Sequence, residues 1–138
     1  FKIKNKLPDN FIVTQNKQKE ALISSKMVIV ASGSATIEAT INETPMIVVY
    51  KMNIISWIIS KLLVKTQFAA MPNIIANKKI VTELIQNKAT KSEIVKHALL
   101  LLEDKIKSEK CINDLREIKD SLVNGNASAN AAFIINNI

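Results

Sequence analysis

The chain has 138 residues, 48% of them hydrophobic, enough for one domain with a real core. A single cysteine, Cys111, excludes an intrachain disulfide and points to a reducing compartment, while one His and one Cys cannot make a standard zinc site, so no metal or other cofactor is expected. The formal charge of +7 sits entirely in residues 1–79, with 11 lysines against four acids, because residues 80–138 balance eight bases with eight acids.

That basic surface suits an anionic partner such as phosphate, nucleic acid or acidic lipid, and equally a plain solvated lysine-rich face. Nucleic acid is disfavoured, since one Trp, one Tyr and four Phe give little to stack bases on. Phe1–Asn10 is charged and lacks the apolar stretch of a signal peptide. No apolar run reaches the ~20 residues of a membrane span. The chain opens on Phe1 rather than Met, which reads as a fragment or a processed product.

In chain order, Asn10–Gln15 reads as a short strand and Lys17–Ser25 as a helix of about two turns. Met27–Ala31 is a continuous apolar run, the pattern of a strand buried on both faces. Ser34–Ile41 reads as a helix, Asn42–Pro45 as a turn and Met46–Tyr50 as a second buried strand. Two strands so joined form a βαβ unit with a right-handed crossover. Asn53–Val64 reads as a mostly apolar helix whose Asn53, Ser56 and Ser60 make one polar stripe.

Phe68–Met71 is expected as a short strand, Pro72-Asn73 as a turn and Ile80–Gln86 as a short helix. Thr90 and Glu93 have capping-box spacing at the start of a helix running to about Glu103. Lys105–Val123 reads as an amphipathic helix with Ile106, Ile112, Leu115, Ile118 and Leu122 on its apolar side. Asn124-Gly125-Asn126 breaks it before a last helix, Ala127–Ile138. The fold class is therefore α/β: a partial Rossmann-like parallel sheet with flanking helices over residues 1–89, followed by C-terminal helices over residues 90–138. It is a single domain with fewer strands than a doubly wound sheet usually has, as if truncated at its N-terminus.

Gly33 is one of only two glycines, and it stands between the apolar run and the Ser34 helix. In an open parallel sheet, ligands bind beyond the carboxyl ends of the strands. A helix start there presents unpaired N–H groups and partial positive charge to a phosphate. Gly33 lets the phosphate approach the backbone, Ser34 and Thr36 add hydroxyls, and Glu38, a turn further on, can accept from the vicinal hydroxyls of a ribose. These residues also fit a tight turn with an N-cap and a solvated glutamate.

The pieces A-S-G-S-A-T-I-E-A (31–39), T-P-M-I-V-V-Y-K (44–51), W-I-I-S-K-L-L-V-K-T (57–66), M-P-N-I-I-A-N (71–77) and V-T-E-L-I-Q (81–86) occur in one order and spacing. Together they resemble the lipid-A-disaccharide synthase family, glycosyltransferases of GT-B architecture. The resemblance covers roughly residues 10–138 and weakens after Gln86. It implies the C-terminal, donor-binding domain of an enzyme with two Rossmann-like domains. The family's Gly-Ser-Arg loop and N-terminal domain are not found here.

The implied reaction is transfer of 2,3-diacylglucosamine from its UDP carrier to 2,3-diacylglucosamine 1-phosphate. The products are lipid A disaccharide 1-phosphate and UDP. The implied place is the cytoplasmic face of the inner membrane of Gram-negative bacteria, with peripheral attachment. By the same resemblance, Gly33, Ser34 and Ala35 offer amides to the diphosphate and Glu38 binds the ribose. Asn73 lies close to the reaction centre in a supporting catalytic role, and the general base comes from outside this chain, which would be inactive alone.

Two positions depart from the family pattern. Asn77 stands where the family usually has Gly, and Asn tolerates the left-handed region next best. Lys51 stands where Arg is frequent, keeping charge but losing the forked geometry. Trp57 and its helix either pack on the sheet or form an apolar surface for acyl chains, with Lys61 and Lys65 meeting lipid phosphates. Tyr50 reads as core, His97 as an ordinary helix residue and Cys111 as a small buried side chain. Apolar surface left by missing parts could pair two copies through the last helices. The competing readings are another GT-B transferase with a lipid-linked acceptor, and a non-enzymatic basic module that binds membranes or a partner.

Overall fold

The computed structural model describes Pro8, residues 10–53 and residues 67–124. Among the described residues three parallel strands, β1 (Val28–Ala31), β2 (Met46–Tyr50) and β3 (Thr82–Ile85), lie in the order β1-β2-β3. The helices are α1 (Gln18–Ser24), α2 (Ser34–Ile41), α3 (Met71–Ala76), α4 (Lys91–Glu103) and α5 (Lys105–Asn124), with a 3-10 turn at Gln86–Lys88. The expected Ser34–Ile41 helix and Met46–Tyr50 strand have the bounds read from sequence.

β2 is the middle strand, and its Met46, Ile47 and Val48 are all fully buried. An apolar run without alternation can be satisfied only by cover on both sides. On one side, Met46 and Val48 join Ala39 of α2, Cys111 and Leu115 of α5, Leu22 and Val81, with Val28 and Val30 packed against them. α4 lies against β2 and β3. Ile29, the β1 partner of Ile47, is 53% exposed. Residues 90–124 therefore pack back onto the α/β part.

Three segments differ from the sequence reading. Asn10–Gln15 forms no strand: Phe11–Val13 are exposed, and the Phe11 amide turns back to the Pro8 carbonyl at 3.0 Å. A β-branched run is a strand only when a neighbour pairs with it. Met71–Ala76 is a helix, not a strand and a turn, because Pro72 falls in the first helical turn, where its missing N–H is no loss. Residues 82–85 of the expected Ile80–Gln86 helix are β3, paired Ile47↔Thr82 through Tyr50↔Ile85. Here pairing with a buried strand overrides a short and ambiguous apolar spacing.

The helix ends follow their local chemistry. Thr90 accepts the Glu93 amide at 3.3 Å, but the Glu93 carboxylate turns to Lys96 (3.8 Å) and His97 (3.5 Å), so only half of the capping box forms. Asn77 ends α3 at φ 49°, the left-handed conformation expected of it. On α5, Leu115, Ile118 and Cys111 are buried, whereas Ile106, expected on the apolar side, is 80% exposed in the first turn. Burial pushes the Cys111 thiol up to about 11. The segment Asn53–Val64 expected as a helix lies, apart from Asn53, outside the described residues, as do Trp57, Gly125 and the segment Ala127–Ile138 expected as the last helix.

α2 closes with Glu43 left-handed (φ 54°), its amide on the Thr40 carbonyl at 3.0 Å and the Thr44 amide on the Ala39 carbonyl at 2.9 Å. From that turn the Glu43 carboxylate takes Arg116 (Nε 2.9 Å, Nη2 2.8 Å) and Lys119 (2.6 Å), pinning α5 to α2. The bonds from Lys119 and then Arg116 hold the Glu43 carboxyl below its usual value. A depressed folded value means stability that is present above the unfolded value and lost as pH falls through the folded one. Glu43→Gln is therefore expected to destabilise the chain by ~1 kcal/mol at neutral pH. The difference from wild type should vanish in acid, below the depressed value, as read by thermal unfolding at several pH values.

Candidate functional site

The loop Ser32–Gly33 leaves the carboxyl end of β1 and enters α2. Gly33 is the N-cap at φ 147°, a conformation that side-chain-bearing residues rarely adopt. A Cβ there would meet nothing within 4 Å, so the glycine is required by backbone conformation and not by crowding. No side chain caps α2, in contrast to Thr90 at α4. The Thr36 amide and hydroxyl both turn to the Gly33 carbonyl, at 3.0 and 2.7 Å. The amides of Gly33, Ser34 and Ala35 have no acceptor among the described residues.

The structure thus brings four of the sequence-predicted residues together. Gly33, Ser34 and Ala35 make the open helix start. Glu38 stands one turn on, exposed, with no side-chain hydrogen bond among the described residues. Ser34 and Glu38 are at i and i+4, one above the other on the same face. Lys51 is exposed just past the carboxyl end of β2.

Asn73 differs from what was expected of it. It is 0% exposed, and its amide is fully used inside the protein. Its Nδ2 donates to the Val81 carbonyl (3.0 Å) and to Glu83 Oε1 (2.8 Å), and its Oδ1 accepts the Ile80 (2.7 Å) and Val81 (2.9 Å) amides. An amide has two donors and about two acceptor sites, so nothing is left over for a sugar or phosphate oxygen. Asn73 holds the start of β3 against α3.

Glu83 was missed. Its Oε1 accepts Asn73 and the Ala70 amide (both 2.8 Å), and the Ala69 amide bridges both carboxylate oxygens at 3.1 Å. On the other side of Ala69, Ser32 Oγ donates to its carbonyl at 2.9 Å. Reading residues 80–86 as a helix hid the signal. As a strand, Glu83 is in register with Val30 and Val48 and shares their face, an acid where apolar residues line the core. Gln86 was also passed over: its side-chain amide grips Met52 by both backbone groups, at 2.8 and 3.1 Å.

His97 pairs within its own helix, and Tyr50 is half-buried at the end of β2. Among the described residues no three His, Cys, Asp or Glu side chains gather as a metal site, and no helix is long and apolar enough to cross a membrane.

The family model described as lipid-A-disaccharide synthetase matches residues 1–135. Three curated proteins named lipid-A-disaccharide synthase are similar to this chain. That of Koribacter versatilis is 34% identical over 114 residues, 83% of this chain and 30% of the relative. That of Hydrogenovibrio crunogenus is 37% identical over 123 residues, 89% of this chain and 32% of the relative. That of Acinetobacter baylyi is 46% identical over 83 residues, 56% of this chain and 21% of the relative. The chain spans about a third or less of the length of these relatives.

Two substitutions separate structural from contact roles. Asn73→Ala strands two amides and a carbonyl in or near the core and takes one of its donors from the Glu83 carboxylate, and should cost about 3 kcal/mol or more in denaturant unfolding. A residue kept for ligand contact would leave stability almost unchanged. Gly33→Ala should cost ~1–2 kcal/mol although its methyl group meets open space, because the strain lies in φ.

Proposed function

The chain belongs to the lipid-A-disaccharide synthetase family, and from that premise we propose that it forms the UDP-sugar site of a hexosyltransferase. The reaction is transfer of 2,3-diacylglucosamine from UDP to 2,3-diacylglucosamine 1-phosphate. The acceptor hydroxyl oxygen attacks the anomeric carbon as the bond from that carbon to the β-phosphate oxygen breaks. The electron pair leaves with UDP, and the hydroxyl proton goes to a base supplied from outside these residues.

What carries this reading is the uncapped start of α2, with the Gly33, Ser34 and Ala35 amides open beyond the carboxyl end of β1. Charge grows on the diphosphate as the sugar leaves. Fixed N–H dipoles and the positive end of a helix stabilise that charge with little reorganisation. Glu38, one turn away, accepts from the two ribose hydroxyls. Asn73 acts through Glu83 and the segment before α3, not by touching the substrate. The acyl chains of both sugars call for a membrane surface, in this proposal the cytoplasmic face of the inner membrane, where the lysine excess of residues 1–79 meets lipid phosphate. A homodimer through the C-terminal helices belongs to the same proposal.

The test is a titration of the isotopically labelled 138-residue chain with UDP. The Gly33, Ser34, Ala35 and Glu38 amide resonances should move, and those of His97 and Lys105 should stay. Glu38→Gln should weaken UDP about tenfold and leave inorganic pyrophosphate binding unchanged, since a carboxylate that accepts from two hydroxyls is worth roughly that much. Static resonances at Gly33 and Ser34 at saturating UDP would refute the site. Disaccharide formation by these residues alone would refute the outside base.

A further inference from the structure

We propose that Ser32 and Glu83 are paired positioning residues that fix the Gly33 turn by gripping one residue, Ala69, through its carbonyl and its amide. This rests on the reading of that turn as the diphosphate site. Ser32 directly precedes Gly33, and its hydroxyl donates to the Ala69 carbonyl at 2.9 Å. The Ala69 amide in turn donates to both oxygens of Glu83, at 3.1 Å each. Ser32 follows β1 and Glu83 lies in β3 in register with Val48, so the link joins the two edge strands across the middle one and ends next to the open amides.

The turn needs such a link. Gly33 has the widest conformational freedom of any residue, and α2 has no side-chain cap to hold its first turn. The bonds from Thr36 to the Gly33 carbonyl lie within the helix and do not fix the turn relative to the sheet. Ser32 does, because the segment it reaches is itself immobilised. Glu83 holds Ala69, Ala70 and Asn73 at once, and Asn73 is locked to Ile80 and Val81. Amides held in place before a ligand arrives bind it more tightly than amides that must be ordered on binding.

Three variants of the 138-residue chain test this. Ser32→Ala removes the hydroxyl, and Ser32→Thr keeps it. Glu83→Gln keeps one oxygen for Ala69, Ala70 and Asn73 but replaces the second acceptor of the Ala69 amide with an NH2. Ser32→Ala should weaken UDP about three- to tenfold with the fold retained and the unfolding midpoint only slightly lowered, and Ser32→Thr should restore the affinity. Glu83→Gln should move the Ser32 and Gly33 amide resonances without ligand, although Glu83 bonds to neither. Unchanged UDP affinity in Ser32→Ala, or unmoved Ser32 and Gly33 resonances in Glu83→Gln, would overturn the proposal. If UDP leaves the wild-type Gly33 resonance in place, the nucleotide reading fails. The ligand-free shifts in Glu83→Gln then decide the coupling by themselves.

Discussion

β2 is apolar on both faces, and the rest of the architecture follows from covering it. Met46, Ile47 and Val48 leave no side for water. A neighbour is needed at each edge and a helical layer on each face, which the long crossovers that join parallel strands help to provide. Because all three strands run the same way, every loop that follows a strand emerges at one end of the sheet. The Ser32–Gly33 turn, Lys51–Met52 and the Gln86 turn are gathered there by topology alone.

Polar groups then fix what the apolar core only gathers. Asn73 and Glu83 lie on the core side of the sheet, where an unpaired amide or carboxylate would cost several times what a surface group costs. Each bond the structure gives them goes to backbone or to the other. Among the described residues no buried side-chain nitrogen or oxygen lacks a partner. A satisfied network of this kind has one arrangement, so it specifies position as well as adding stability. The open amides of α2 stand apart from this rule, uncapped at a turn tied to the network through Ser32 and Ala69.

Much of this was legible in the sequence where the signal is local. The Met27–Ala31 and Met46–Tyr50 runs, the Ser34–Ile41 helix and Asn77 as a left-handed stop all depend on neighbours a few residues away. What was not legible depends on distant pairing. Thr82–Ile85 is a strand only because β2 lies beside it, and Asn10–Gln15 is not one, with no strand paired to it among the described residues. The Gly33 turn could be found from its glycine and its place after a strand. Glu83 could not, because its meaning appears only once its register with Val48 is known. Asn73 was found, but spacing could not distinguish an amide facing a ligand from one consumed by its own backbone.

Cys111 offers a way to watch the layers separate. It sits on α5 in the cluster with Met46, Ala39 and Leu115, and its thiol is pushed up to about 11, so the reactive thiolate is scarce at neutral pH. An alkylating reagent must wait for the helix to lift from the sheet. The labelling rate then reports how often that happens, and the cysteine becomes an internal clock for opening of this interface, separate from unfolding of the whole.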